Sequence, residues 1–253
     1  MLTMFDLSAK NAIVVGGAGD LGVAMLEALV EAGARAAVID VSESVHNVTA
    51  SLSAKGFSVH PVRADVSCRD QIRSSYDEAM RFLGGRLDIL VNAAGIQRRH
   101  PSESFPEMDW DDVLAVNLSA TFFYCQLAAQ SMIPMGSGKI INVASIMSFC
   151  GGITIPAYVA SKGGVGQLTK SLSNDWAGMG LHINAIAPGY MATKLNTALM
   201  DDPVRSADLL KRIPQRRWGN GHDLKGITVF LASSASDYVN GTVIPVDGGY
   251  LGR

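Results

Sequence analysis

Tyr158 and Lys162 stand four residues apart in the stretch "AYVASKGG" at 157–164, and their types and spacing could do chemistry together. On a helix, residues i and i+4 share a face, so the phenol and the ammonium would meet. A cation that close favours the phenolate and lowers the tyrosine pKa from its ordinary value of about 10. Such a tyrosine could donate and accept a proton near neutral pH. The alternative is a buried tyrosine beside a lysine that extends its ammonium to solvent.

Short β-rich runs alternate with helical patterns along the whole chain. Strands are expected at 11–17, 35–40, 57–66, 87–95, 138–145, 181–189 and 242–249. Helices are expected near 21–33, 68–83, 108–132, 157–178 and 223–232. This alternation is typical of a parallel sheet covered by helices on both faces. We therefore predict an α/β fold, a single doubly wound Rossmann domain over 1–253 with a seven-stranded parallel sheet. A variable substrate-side segment is expected at 190–220.

Glycine-rich or polar motifs follow most of the predicted strands. They are "GGAGDLG" at 16–22, Asp40, Asp65, "NAAG" at 92–95, Ser145 and "APG" at 187–189. In doubly wound sheets the ligand lies outside the carboxyl ends of the strands, near the switch in strand order. We therefore expect these motifs to border a single crevice.

The first of these motifs predicts dinucleotide binding. Gly17, Gly19 and Gly22 fit G-x-G-x-x-G between a strand and a helix, which brings backbone N–H groups to a pyrophosphate at the helix N-terminus. Asp40 ends the second strand, where ribose recognition expects an acidic residue. Its charge would repel a 2′-phosphate, which favours NAD over NADP. A plain tight turn would also use glycines, so the pattern alone is not specific.

Over essentially its whole length the chain resembles the short-chain dehydrogenase/reductase family. The family motif TGxxxGxG is matched at Gly16 and Gly22, and its NNAG and PGxxxT motifs at 92–95 and 188–193. The resemblance implies a cofactor site formed by Gly16, Gly17, Gly19, Asp20, Leu21, Gly22, Asp40, Asp65, Val66, Asn92, Ala94, Gly95, Tyr158, Lys162, Pro188, Gly189, Met191 and Thr193.

The same resemblance implies four catalytic residues, Asn117, Ser145, Tyr158 and Lys162. Tyr158 would transfer the proton and Ser145 would hold the substrate oxygen. Lys162 would lower the pKa of the tyrosine and bind the nicotinamide ribose, and Asn117 would hold a water molecule in the proton relay.

Three residues depart from the family pattern, namely Val15, Asp20 and Ala93. Val15 and Ala93 remove side-chain hydrogen bonds that brace the loop, so we expect them to affect stability rather than chemistry. Asp20 replaces a glycine, and its carboxylate would repel a pyrophosphate unless the side chain turns outward. Replacement of Asp20 by glycine is therefore expected to leave NAD binding unchanged or to tighten it.

Several stretches, including "AGIQRRH" and "INAIAPGYMATK", resemble the sugar-acid dehydrogenases of the family, which act on gluconate-type acids. Arg98 or Arg99 could hold a substrate carboxylate in a bidentate manner, and Arg217 is a second candidate. Adjacent residues usually diverge, so only one of the first two is expected to point inward. The expected substrate site is completed by Ser145, Met147 and Tyr158. If both arginines lie on the surface, a neutral polyol is the better substrate.

Composition excludes several other classes of function. The net charge of −2 gives no electrostatic case for nucleic acid, and no apolar run approaches the length of a membrane span. The start of the chain lacks the features of a signal peptide. The three cysteines, Cys68, Cys125 and Cys150, are widely spaced, which suits a cytoplasmic protein without disulfides. The histidines lack metal-ligand spacing, so no metal is expected.

Three functions therefore remain open. The first is an NAD-dependent sugar-acid or polyol dehydrogenase, and the second is an NADPH-dependent 3-oxoacyl or general carbonyl reductase. The third is a dinucleotide sensor or scaffold without enzymatic activity, against which the complete catalytic set argues. The family resemblance also implies a homotetramer, with the helices near 108–132 and 157–178 packed between subunits.

Overall fold

Seven parallel strands form one sheet in the computed structural model, which describes residues 2–252, apart from the side chains of Leu195 and Ala198. The strands are β1 (Asn11–Val15), β2 (Arg35–Asp40), β3 (Val59–Arg63), β4 (Ile89–Asn92), β5 (Gly138–Val143), β6 (Leu181–Pro188) and β7 (Val243–Val246). Their order across the sheet is β3-β2-β1-β4-β5-β6-β7, and every neighbouring pair is parallel. The prediction of a doubly wound α/β fold is confirmed.

Nine helices connect the described strands or follow them. They are α1 (Asp20–Glu31), α2 (Ser44–Ala54), α3 (Arg69–Phe82), α4 (Glu107–Leu114), α5 (Ala120–Met132), α6 (Pro156–Trp176), α7 (Thr197–Met200), α8 (Pro203–Arg212) and α9 (His222–Ala232). The expected helices near 21–33, 68–83, 157–178 and 223–232 are present with small shifts of their ends.

The alternation of side chains along each strand divides the core into two layers. On β1, Ile13 packs with α3, α5 and α6, whereas Ala12 and Val14 pack with α1, α2 and α9. Successive residues of a strand point to opposite faces, so a run of apolar residues fills both layers. All three of these side chains are fully buried. The sheet is therefore covered on both sides, and ligands can reach it only at its edges.

The chain reverses its direction of travel across the sheet at β1, which pairs with β2 on one side and with β4 on the other. A crevice forms where the connections leave in opposite directions, at the carboxyl ends of these strands. Gly16 N–H donates to the Ile39 carbonyl over 2.7 Å, and Ala93 N–H donates to the Val15 carbonyl over 2.8 Å. The glycine loop, residues 16–22, and the segment that follows β4 are thus fixed beside each other.

The single long helix expected near 108–132 is instead two helices, α4 and α5, joined by a π-helical turn at Ala115–Ser119. The whole run Glu107–Met135 is long and apolar enough to cross a membrane by length and composition, although polar residues interrupt it throughout. Tyr124, Cys125 and Met132 of this run are fully buried against the sheet. Packing of that kind is typical of a core helix of a globular domain.

Candidate active site

Tyr158 and Lys162 lie in the first two turns of α6, which begins with a proline at its first position. Proline suits that position because its fixed φ matches the helix and its missing N–H would have no partner there. Ser145 follows β5 and is 6% exposed, and its Oγ accepts a hydrogen bond of 3.1 Å from Met147 N–H. All three side chains line one cleft of about 860 Å³ at the carboxyl edge of the sheet. The structure therefore brings together the serine, tyrosine and lysine expected from the sequence.

Lys162 is buried at 4% exposure, and its Nζ donates a hydrogen bond of 2.6 Å to the carbonyl of Val143, the last residue of β5. Burial lowers the pKa of Lys162 from its ordinary value to about 8 because it penalises the charged form. The Nζ atom lies 5.9 Å from the ring centre of Tyr158. Lys162 is thus directed toward the strand end rather than paired with the phenol.

Burial of Tyr158 raises the pKa of its phenol, and the hydrogen bond with Ser145 acts in the opposite direction. The i, i+4 spacing predicted a lowered pKa caused by the lysine, so that expectation is wrong for the protein without ligands. Its physical reason is that desolvation of the phenol outweighs the distant ammonium.

Asn117 lies in the π-helical turn and is fully buried. Its Oδ1 accepts from Ile96 N–H over 2.8 Å, and its Nδ2 donates to the Ile96 carbonyl and to Ser161 Oγ, each over 3.0 Å. Both amide hydrogens are therefore used within the protein, so Asn117 fixes the segment after β4 to α6. Such π-helical turns occur frequently at functional sites.

The glycine loop is packed too closely for larger residues at three of its positions, Gly16, Gly17 and Gly22. Gly16 has a φ of +77°, and a Cβ at Gly22 would lie 2.0 Å from the Gly16 carbonyl oxygen. A Cβ at Gly17 would meet Val38 Cγ1 at 2.5 Å. Gly19 differs because the nearest atom to its hypothetical Cβ is 3.5 Å away, and its open side faces the cleft.

A second cavity of about 450 Å³ lies on the other side of the glycine loop and shares Gly19, Ala93 and Gly95 with the main cleft. Asp40 and Asp65 line it, together with Gly16, Val66 and Ala94. Two cavities that meet at a glycine loop match the two halves of a dinucleotide, with the pyrophosphate beside the N-terminus of α1. The residues present therefore fit a nicotinamide dinucleotide.

The two aspartates of this cavity are fixed by backbone groups. Asp40 accepts hydrogen bonds of 2.9 Å from the N–H groups of Ala18 and Ser42, one on each carboxylate oxygen. Asp65 accepts from Ser67 N–H over 2.9 Å and from Ser67 Oγ over 2.7 Å. An ionised carboxylate has about four acceptor positions, so each aspartate can still accept hydrogen bonds from a ligand.

The main cleft also contains most of the remaining cofactor and substrate positions expected from the sequence. These are Asp20, Leu21, Gly22, Pro188, Gly189, Met191, Thr193 and Met147. Two of the expected cofactor positions lie elsewhere: Gly17 and Asn92 line neither cavity.

Asn92 is a buried brace within the sheet. Its Nδ2 donates to Asn142 Oδ1 on β5 over 2.9 Å and to Cys125 Sγ on α5 over 3.3 Å. Because side chains alternate along β4, this position faces the α5 layer and not the crevice. The expectation that Asn92 contacts the cofactor is therefore not met by its side chain.

Asp20 is turned toward the substrate-side segment, not toward the site expected for a pyrophosphate. Its Oδ2 accepts a hydrogen bond of 2.7 Å from the N–H of Lys194. Lys194 begins a short helical turn directly after Thr193, in the wall of the cleft that the segment after β6 forms. Asp20 thus connects the two walls, a role that the sequence did not suggest.

The arginines expected at the substrate site separate into two groups. Arg99 lines the cleft, whereas Arg98 pairs with Asp109 on α4, with Nε 3.4 Å from a carboxylate oxygen. Arg217 makes a bidentate ion pair of 2.7 Å with Asp223, and its hydrogen bonds hold the pKa of that carboxyl at about 2. Arg217 lines a different cavity, so it is not placed to bind a substrate beside Tyr158.

Two arginines of the cleft were missed by the sequence reasoning. Arg205 and Arg212 lie on α8, and with Asp208 and Leu209 they form one helical face directed into the cleft. The spacing i, i+3, i+4, i+7 is that of one face of a helix, and it could have revealed them. The guanidinium carbon of Arg212 lies 5.0 Å from the ring centre of Tyr250, which lines the same cleft.

Among residues 2–252, no group of three or more His, Cys, Asp or Glu side chains could hold a metal ion.

The chain belongs to the short-chain dehydrogenases. The sequence model of that family, described as short chain dehydrogenase, matches residues 10–203. Enzymes of this family act on CH–OH groups with a nicotinamide cofactor, so the protein is an oxidoreductase of that class.

Several relatives match the chain from end to end. It is 46% identical over 254 residues to 2-dehydro-3-deoxy-D-gluconate 5-dehydrogenase of Escherichia coli, covering 100% of both chains. It is 45% identical over 249 residues to the Bacillus subtilis enzyme of the same name, covering 98% of this chain and 97% of that one. Its structure is also similar to that of a gluconate 5-dehydrogenase from Burkholderia cenocepacia in complex with NADP and tartrate. That comparison gives a TM-score of 0.94 and 41% identity, covering 99% of this chain and 98% of the other.

Proposed function

We propose that the protein transfers a hydride between NAD and a keto or hydroxy sugar acid of the gluconate type. The observation that carries this proposal is the charge around the cleft. Arg99, Arg205 and Arg212 line it, and none of the ion pairs among the described residues involves these arginines. The chain as a whole has a net charge of −2. A local excess of guanidinium groups in such a protein favours an anionic substrate.

The names of the relatives support the same substrate class. Those from E. coli and B. subtilis are named for a gluconate-type acid, and the B. cenocepacia structure contains tartrate, a hydroxy acid with two carboxylates. The alternatives are a neutral polyol, a general carbonyl compound and a 3-oxoacyl substrate. A neutral polyol or an uncharged carbonyl compound would not need three unpaired cations at the cleft.

The proposed catalytic roles follow from the positions of three side chains. When bound, the nicotinamide supplies or accepts the hydride. Tyr158 donates its hydroxyl proton to the substrate oxygen during reduction and accepts it during oxidation. Ser145 holds that oxygen by a hydrogen bond. Lys162, with a pKa of about 8, is mostly protonated at neutral pH and supplies positive charge on the same helix face.

Asn117 has a supporting role in this proposal. Its side chain connects the backbone of Ile96 with Ser161 on α6, one residue before Lys162. It thereby keeps α6 in a fixed position relative to the end of β4. A rigid support of this kind preserves the catalytic geometry.

The preference for NAD rests on Asp40 at the end of β2. Its carboxylate can accept hydrogen bonds from ribose hydroxyls, whereas a 2′-phosphate at the same place would be repelled. The B. cenocepacia relative was crystallised with NADP, so the preference requires a direct measurement. Values of kcat/KM for both cofactors should favour NAD in the wild type, and Asp40→Ala should reduce the ratio. A wild type that prefers NADP, or a ratio that does not change in the variant, would contradict this assignment.

The substrate class can be tested with a panel of compounds and the absorbance of NADH at 340 nm. We expect turnover with keto or hydroxy sugar acids such as D-gluconate, and much lower kcat/KM with D-glucitol and with acyl thioesters. Equal or higher kcat/KM with the uncharged polyol would overturn the sugar-acid proposal. Absence of turnover with every compound and both cofactors would favour a dinucleotide-binding protein without this activity.

We also propose a cytoplasmic homotetramer, assembled through α4–α5 and α6. In support, Met108 and Trp110 on α4 are large apolar side chains with 77% and 37% exposure. Exposed apolar side chains of this size commonly mark an interface. Light scattering should give about four times the 26.8 kDa mass of one chain. A stable monomer would contradict the assembly.

A further inference from the structure

Arg98, Arg99 and His100 follow β4 in a non-helical segment, and the two outer residues share one partner. Arg98 Nε lies 3.4 Å from Asp109 Oδ1, and His100 Nε2 lies 2.5 Å from Asp109 Oδ2. Asp109 is in the first turn of α4 and is 25% exposed. Both neighbours of Arg99 are therefore drawn to one side of the segment by a single carboxylate.

The backbone of this segment is also fixed at both ends. At its start, Ile96 exchanges two hydrogen bonds with the side chain of Asn117. At its end, His100 N–H donates to the carbonyl of Thr154 over 3.1 Å. Thr154 has a φ of +64°, which is unfavourable for a β-branched residue and persists only where its surroundings hold it.

Arg99 lies between these fixed points and lines the cleft that contains Tyr158. It is exposed, and no described ion pair involves it, in contrast to Arg98. Asp109 thus removes one of two adjacent guanidiniums from the cleft and holds the backbone that presents the other. A flexible segment would lose binding energy each time it had to be ordered around a ligand.

We propose that Asp109 is a positioning residue that places the Arg99 guanidinium to bind the substrate carboxylate. It does so by holding Arg98 and His100 on the opposite side of the segment. The inference rests on the proposed function, because it requires an anionic substrate in the cleft. Asp109 itself does not line the cleft, and it acts only through its two partners, Arg98 and His100.

The test is equilibrium binding of D-gluconate and of uncharged D-glucitol to the NADH-bound protein, followed by NADH fluorescence. Asp109→Asn keeps the shape of the side chain and removes its charge, and Arg99→Ala removes the binding group. A hydrogen-bonded charge pair supports a loss of about tenfold or more in gluconate affinity for Arg99→Ala. We expect a loss of several-fold for Asp109→Asn, and unchanged glucitol binding in both variants. Asp111→Ala, an exposed acid on the same helix, serves as the control.

A double-mutant cycle separates positioning from a structural effect. If Asp109 acts through Arg99, Asp109→Asn should cost little further affinity in the Arg99→Ala background. Asp109→Glu should restore part of the affinity. Additive losses, or equal losses for gluconate and glucitol, would overturn the positioning role. Thermal melting identifies any variant that has failed to fold. If Asp109→Asn is that variant, Asp109→Glu, which loses only part of the affinity, takes its place in the cycle.

The outcomes also separate this inference from the proposed function. An acid-specific loss in Arg99→Ala without one in Asp109→Asn refutes only the positioning role. No loss in Arg99→Ala refutes the assignment of Arg99 as the carboxylate-binding residue, and the positioning role with it. Absence of gluconate binding by the wild type counts against the sugar-acid substrate itself.

Discussion

Lys162→Met should change how the stability of the protein depends on pH. Lys162 is 4% exposed, and no carboxylate among the described residues forms an ion pair with it. Its Nζ instead donates to the Val143 carbonyl. Burial lowers its pKa from 10.5 to about 8 in the folded protein, whereas the unfolded chain keeps the ordinary value. The folded state therefore binds fewer protons than the unfolded state between pH 8 and pH 10.5.

Stability rises with pH wherever the unfolded state binds more protons. Below pH 8 both states are protonated at Lys162, and the full cost of a buried ammonium remains. The destabilisation by the buried ammonium declines as the pH rises from 8 to 10.5, and it is absent above pH 10.5. At about 1.4 kcal/mol per pKa unit, the whole shift corresponds to roughly 3 kcal/mol.

The assay is urea unfolding of the wild type and of Lys162→Met at pH 7, 8, 9 and 10, at one protein concentration. Methionine is similar in length and does not titrate, so other ionisable groups cancel in the difference between the two proteins. The free energy of unfolding of the wild type should rise by roughly 2 to 3 kcal/mol relative to the variant between pH 7 and pH 10. A difference that stays constant within error, or that changes in the opposite direction, would refute a buried lysine with a lowered pKa.

Two further predictions concern the glycine loop. Gly22→Ala should lower the melting temperature, because the new Cβ would lie 2.0 Å from the carbonyl oxygen of Gly16. Gly19→Ala should leave the melting temperature unchanged, because its Cβ has room, and should weaken NADH binding, because Gly19 lines the cleft. Equal melting temperatures for the two variants would show that the loop adapts. Asp20→Ala should increase the hydrogen-exchange rate of the Lys194 amide by about tenfold or more, whereas Asp20→Asn should increase it less because it keeps an acceptor. An unchanged rate in Asp20→Ala would disprove the connection between the cleft walls.

The fold could be predicted because apolar runs, glycines and helical patterns alternate locally along the chain. The crevice could also be predicted, since the carboxyl ends of parallel strands share one edge. The π-helical turn at Ala115–Ser119 could not, because no local signal separates it from a continuous helix. The helix α8 was missed although Asp202 and Pro203 mark its start, and Asp202 Oδ1 accepts from the N–H groups of Val204 and Arg205.

The properties of individual site residues were harder to predict, because they depend on tertiary surroundings. The raised pKa of Tyr158 follows from burial, which the i, i+4 spacing does not report. Asn92 belongs to a recognisable motif, but the alternation along β4 directs its side chain into the core. Asp20 has a partner distant in sequence, and Arg217 lies with its partner Asp223 in a cavity separate from the main cleft, so their roles could only be read from the folded chain.

The proposed reaction depends most directly on the hydroxyl of Tyr158, the group that transfers the proton. The decisive measurement is kcat of Tyr158→Phe with the best substrate of the panel, together with the dissociation constant of NADH from fluorescence. Phenylalanine keeps the ring and removes only the hydroxyl. We predict that kcat falls by about 10²-fold or more while the NADH dissociation constant stays within about twofold of the wild type. Retention of more than about a tenth of the wild-type kcat would contradict the account, because acid–base catalysis of this kind contributes at least about 10²-fold.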